Sequence, residues 1–343
     1  MRFRPLRTGA APTSDPTPVP DPPETMHAVV FDEPGPASVL RDASYPTPVP
    51  ALSELLVRVV AAGVNPIDAK TRAGAGVSGL IPGFPSTLGF DFSGVVAHAP
   101  YESHPLPPGT PVFGMASFPR SPGTYSEYAV VPTLSVARKP ATLSHVEAAG
   151  VPLAALTAWG LVVETARAHE GQRILIHAGS GGVGHFAVQF AAYFGAHVTA
   201  TTSARNGAWL RELGASVVID YRSTRFDEVV GDVDVVIDLV GNMNDDTGSR
   251  SLRVLRPGGL YVLVPTGAWP GYAEAAAAAG VRATSYKVIP DGTALATIAR
   301  LLDSQAVQVY VDRVFDLADA ADAHRTLEEG HTRGKIVLRV SDD

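Results

Sequence analysis

The chain has 343 residues, 45% apolar and 18% charged, and this length predicts two domains, each able to bury its own core. A net charge of -7 argues against a broad basic face for nucleic acid, and no apolar run reaches the roughly 18 residues of a membrane helix. Cysteine is absent, which removes disulfides, thiolate nucleophiles and cysteine-ligated metal.

Seven of the first 25 residues are proline, which cannot donate to a helix or sheet ladder. Residues 1–25 also lack the apolar stretch of a secretory signal, so they read as a flexible extension on a cytoplasmic protein. Residues 26–147 are rich in Gly, Pro and β-formers (LLVRVVAAGV, DFSGVVAH, TPVFGM, TYSEYAVVP), a pattern of antiparallel strands and a small barrel. Residues 148–285 change rhythm. RILIHA, HVTATT, SVVID, VDVVIDLV and LYVLVP are short and almost wholly apolar, as strands buried on both faces are, and helical patterns separate them. That is an α/β unit with a parallel sheet. The tail, 286–343, offers two helical stretches and a last strand, KIVLRV, able to close back on either region.

RILIHA runs into Gly179-Ser180-Gly181-Gly182-Val183-Gly184 and then HFAVQFAAYF, which is G-x-G-x-x-G after a strand and at the start of a helix. The first glycine permits a tight turn, the second lets the backbone approach a pyrophosphate, and the third lets helix and strand pack closely. A tight turn with no nucleotide is the alternative. An NAD site places an acid about 20 residues on; here none lies between Gly184 and Glu212, and the second strand ends in Thr201-Thr202-Ser203-Ala204-Arg205. Ser203 and Arg205 suit the 2′-phosphate of NADPH, against the alternative of a capping serine and a solvated arginine.

With GVNPIDAKTRAG and PSTLGFDFSGVV upstream, and LRPGGLYVLV and HTRGKIVLRV downstream, the chain resembles the medium-chain dehydrogenase/reductase superfamily, and within it the zinc-free, zeta-crystallin-like quinone oxidoreductases. The resemblance spans about Met26 to Val340. It implies a GroES-like catalytic barrel, completed by the tail, around an inserted Rossmann domain. Where zinc-dependent members carry ligands, this chain has Asn65 and Asp91, which implies no metal and hydride delivery to an already electrophilic substrate.

The resemblance also gives the site residues. Asn65 would donate to a substrate carbonyl, and Asp68 would orient the site or charge the first turn of a helix. Thr157, Pro265 and Thr266 match positions lining the nicotinamide; Val240 and Gly241 end the fourth strand near the adenosine side, Tyr221 flanks the adenosine phosphate or is a surface tyrosine, and Lys335 is a further cofactor contact. A homodimer is implied, through LYVLVP as the edge strand. The expected function is NADPH-dependent reduction of a quinone or an α,β-unsaturated carbonyl. The alternatives are a trans-acting enoyl-thioester reductase, disfavoured because Lys70 to Thr87 holds no tyrosine, and a non-enzymatic NADPH-binding protein. His185 and Trp159 read as packing residues.

Overall fold

Strands that are apolar on both faces need cover on both sides, and the chain supplies it with alternating helices. A computed structural model describes residues 21–120, 122–242 and 245–341. Of the N-terminal extension expected over 1–25, residues 1–20 lie outside the described residues. Arg173–Ile176 and Val233–Asp238 sit at the centre of a six-stranded parallel sheet. His197–Thr202 and Val217–Asp220 extend it on one side, and Leu255–Leu263 and Arg282–Ser285 on the other. The sheet order reverses at its centre, where such sheets open a ligand crevice beyond the carboxyl ends of the strands. LYVLVP is not the edge strand that was expected. It is paired on both sides, and the edge is Arg282–Ser285, a short polar strand that carries no strong apolar signal.

The second sheet has seven strands, mostly antiparallel, organised on the long strand Glu54–Val64. Asp91–His98 runs along one side of it. On the other side, Tyr128–Pro132 pairs with its first half and Lys335–Arg339 with its second. The tail therefore closes on the first region, and the register Ile336↔Val64 brings Lys335 beside Asn65. Val311–Asp316 adds a parallel strand outside it. Helix Pro152–Trp159 sits between the sheets: Ala154, Ala155 and Ala158 share one buried cluster with Phe113 and Ile336 of the seven-stranded sheet and with Ile174 and Phe186 of the parallel-sheet region. Trp159 packs edge-on against Phe190 of helix Gly182–Tyr193. Among the described residues no helix is long and apolar enough to cross a membrane.

Candidate active site

The glycine loop shows why each small residue is needed. A Cβ on Gly184 would lie 2.2 Å from the Ala178 carbonyl oxygen, so only glycine lets the helix approach the strand end this closely. A Cβ on Gly179 would press against Ala200 and Leu210 at 3.0 Å. Gly181 faces open space apart from the Ala178 oxygen at 3.3 Å, which leaves its backbone approachable by a phosphate. The tight turn differs from the sequence expectation: the left-handed residue is Ala178 (φ 51°), and Gly179 is there for packing. Thr202 Oγ1 donates to Ser180 Oγ at 2.8 Å, tying the loop to the second strand. Val183 is half-buried in the first turn of the helix. His185, fully buried, has Nδ1 at 3.0 Å from the Gly181 carbonyl oxygen, and burial holds its pKa down at about 4, so it is a neutral packed residue at working pH.

Beyond this loop lies a cleft of about 490 Å³ whose walls include Gly181, Ser203, Arg205, Tyr221, Arg222 and Val240. Ser203 does not cap the short helical turn after it, which leaves its hydroxyl for a ligand. Arg205 is exposed, with Nη2 donating to the His331 carbonyl oxygen at 2.7 Å. Gly241 is buried beside the cleft at φ 85°; its N–H and that of Val240 both donate to Asp238 Oδ1 at 2.8 Å, a turn that fixes the end of the fourth strand.

The loop's other end faces a buried polar cluster. Asn65 precedes helix Pro66–Arg72, whose proline at the first position gives it the fixed φ of a helix start. The Asp68 carboxylate returns to accept the Asn65 N–H at 2.8 Å, as first-turn acids do. The Asn65 side chain turns the other way. Its Nδ2 donates to Asp91 Oδ2 at 2.9 Å, and its Oδ1 accepts from the Lys335 ammonium. Lys335 Nζ also donates to the Val64 carbonyl oxygen at 3.0 Å and lies 3.6 Å from Asp91 Oδ2. Asp91 Oδ1 accepts the Leu153 N–H at 2.7 Å, which anchors helix Pro152–Trp159 to the same cluster. Burial pushes the Asp91 carboxyl up and the Lys335 ammonium down, and their mutual attraction opposes both. Asp68 is fully buried, and burial pushes its pKa up to about 7, against the Asn65 N–H that lowers it and with Asp91 that raises it further.

A family model for the alcohol dehydrogenase GroES-like domain matches residues 52–141, and one for zinc-binding dehydrogenases matches 213–338. The chain is 32% identical to the zebrafish (Danio rerio) mitochondrial NAD(P)H oxidoreductase RTN4IP1, covering 93% of this chain and 92% of that one. The solved quinone oxidoreductase of Coxiella burnetii is 38% identical with a TM-score of 0.86, covering 92% of this chain and 99% of that one. The Escherichia coli quinone oxidoreductase complexed with NADPH is 28% identical at a TM-score of 0.80, covering 92% and 100%. The chain belongs to the zinc-free quinone oxidoreductase branch of the medium-chain dehydrogenase/reductase superfamily.

In this branch of an otherwise metal-using superfamily, the donor set here does not fit zinc. Asn65 and Asp91 face each other, but Lys335 holds its cation between them, and a metal would meet that charge. Among the described residues no group of three or more His, Asp or Glu could hold a metal ion. Of the expected site residues, the structure brings together Asn65, Asp68 and Lys335 at one end and Ser180, Gly181, Ser203, Arg205, Tyr221 and Val240 at the other. Gly182 joins the two, since a Cβ there would sit 3.2 Å from Lys335 Cδ. Thr157 is buried with Oγ1 donating to the Leu153 carbonyl oxygen at 2.6 Å; Pro265 is half-buried and Thr266 exposed after the fifth strand. The sequence reading gave no role to Asp91, Arg222 or Arg250. Asp91 carried a legible signal, an acid inside the apolar run GFDFSGVV. Arg222 and Arg250 reach the cleft from strand ends and helices far apart in sequence.

Proposed function

We propose that the protein is an NADPH-dependent reductase that adds hydride to a quinone or an α,β-unsaturated carbonyl compound without a metal. When bound, NADPH supplies the hydride. The glycine loop and the start of helix Gly182–Tyr193 hold the pyrophosphate through backbone amides, and Ser203 with Arg205 takes the 2′-phosphate. Tyr221, Val240 and Gly241 flank the adenosine, and Thr157, Pro265 and Thr266 border the nicotinamide. The observation that carries the reading is Asn65: an amide fixed by hydrogen bonds on both of its heavy atoms, one of them from Lys335, whose stem passes beside Gly182 of the glycine loop. A fixed N–H donor is what a carbonyl needs when its oxygen gains charge, and it asks for no Lewis acid. Asp68 is sealed beneath Asn65 and orients it through the backbone.

The chain works in this reading as a homodimer joined through the exposed edge strand Arg282–Ser285. Cytoplasmic placement belongs to the same proposal and is checked by fractionation, since the zebrafish relative is designated mitochondrial. The test of the activity is NADPH consumption against a panel of quinones, enones and enoyl thioesters, with and without chelator. Turnover of quinones or enones that chelator leaves unchanged supports the proposal. A preference confined to enoyl thioesters, or no turnover with any member, defeats it.

A further inference from the structure

We infer that Lys335 and Asp91 are a positioning pair: together they aim the Asn65 amide at the substrate carbonyl, and the Lys335 ammonium adds positive charge behind the developing oxyanion. The inference rests on the reductase reading and deepens it, because it moves Lys335 from the cofactor to the reacting oxygen. Three observations carry it. First, Lys335 is 3% exposed, and its Nζ faces three oxygens, Val64 O, Asn65 Oδ1 and Asp91 Oδ2, one for each hydrogen of an ammonium. Second, this fixes the amide's orientation. A flipped Asn65 would set its NH2 against the ammonium and its oxygen against the carboxylate, two repulsions in place of two hydrogen bonds. Asp91 therefore takes one Nδ2 hydrogen, and the second has no acceptor among the described residues.

Third, Lys335 ties the amide to the cofactor's own loop. Gly334 N donates to the Ser180 carbonyl oxygen at 2.9 Å, and the lysine stem passes beside Gly182. The donor and the phosphate-binding loop are thus held in one register, as hydride transfer requires of its two reactants. In the step itself, a C–H bond forms at the substrate carbon as the C–H bond at nicotinamide C4 breaks. The electron pair of the substrate π bond moves to the carbonyl oxygen, where Asn65 meets it, and a proton from water completes the product. Charge appears on that oxygen only as the reaction proceeds, so the pair acts on kcat rather than on cofactor affinity.

The experiment compares the wild type with Lys335→Met and with Lys335→Met/Asp91→Asn, all in full-length protein. The double variant guards against a fold lost to a lone buried carboxylate, since asparagine at 91 carries no charge and keeps one oxygen to accept from the Leu153 N–H. NADPH dissociation constants come from fluorescence titration, and kcat and KM from a series of enones graded in electron demand. Both variants should lower kcat about ten- to hundredfold, with the NADPH constant and KM held within about twofold. The loss should be largest for the least electron-withdrawing enones, which a merely structural role would not produce. The pairing is overturned by an unchanged kcat, by a kcat loss equal for every enone, or by a raised NADPH constant with kcat intact. A wild type inactive on every enone and quinone defeats the reductase reading, and the pairing falls with it; an active wild type with indifferent variants defeats the pairing alone.

Discussion

Replacing Arg205 with alanine should weaken NADPH about ten- to thirtyfold and leave NADH within about twofold. One of the five N–H groups of a guanidinium is spoken for, by the His331 carbonyl oxygen at 2.7 Å. The rest of the fork is open to the cleft, where Ser203 stands uncommitted. A hydrogen bond to a charged partner contributes about 1.5–3 kcal/mol. Arg205 is exposed, so water and salt screen the contact toward the low end of that range; about 1.5–2 kcal/mol converts to the stated ratio. Arg222 lines the same cleft, so Arg205→Ala/Arg222→Ala should deepen the loss for NADPH only. Fluorescence titrations of both cofactors at fixed ionic strength decide the matter. Equal affinities in the wild type, or a parallel loss for NADH in the variant, would refute a 2′-phosphate site here.

Gly184→Ala should abolish cofactor binding and cost about 1–3 kcal/mol in chemical denaturation, because its Cβ would clash with the Ala178 carbonyl. Gly181→Ala, with room at the same loop, should keep the fold and weaken only the cofactor. Asp68 titrates at about 7 in the folded chain and near the ordinary carboxyl value of 3.8 when unfolded, so the unfolded state releases its proton first. Wild-type stability should therefore fall relative to Asp68→Asn as pH rises from about 4 to about 7, then hold a constant offset; denaturation midpoints of the two proteins at pH 5 and 8 test it. Light scattering at micromolar concentration should report a dimer, and a monomer would contradict the edge-strand interface.

The parallel sheet was legible because strands buried on both faces read as short apolar runs: Arg173–Ile176 falls within RILIHA and Val233–Asp238 within VDVVIDLV. The edge strand Arg282–Ser285 was not, since a half-exposed strand of Arg, Ala, Thr and Ser has neither apolar run nor clean alternation. Val311–Asp316 was missed for the same reason, and with it the way the tail returns to the seven-stranded sheet. The glycine loop could be read because all its parts are neighbours in the chain. The cluster at Asn65 could not, as Asp91 and Lys335 arrive from other strands through sheet register, which no local pattern encodes. What the sequence did hold was a pair of charges, Asp91 and Lys335, inside or at the start of apolar strands, each signalling a buried partner. Ser203 shows the converse: its spacing suits a helix cap, yet its side chain makes no capping bond.

Isotope transfer is the sharpest test of metal-free hydride delivery from NADPH to an activated double bond. Chelator-treated protein would be incubated with an enone and NADPH carrying deuterium at nicotinamide C4, each epimer in turn, and the product read by mass spectrometry and NMR. One deuterium is expected on the β-carbon of the saturated ketone from one epimer alone, at the rate seen without chelator. No label in the product from either epimer, or a reaction that stops when metal is removed, would contradict it.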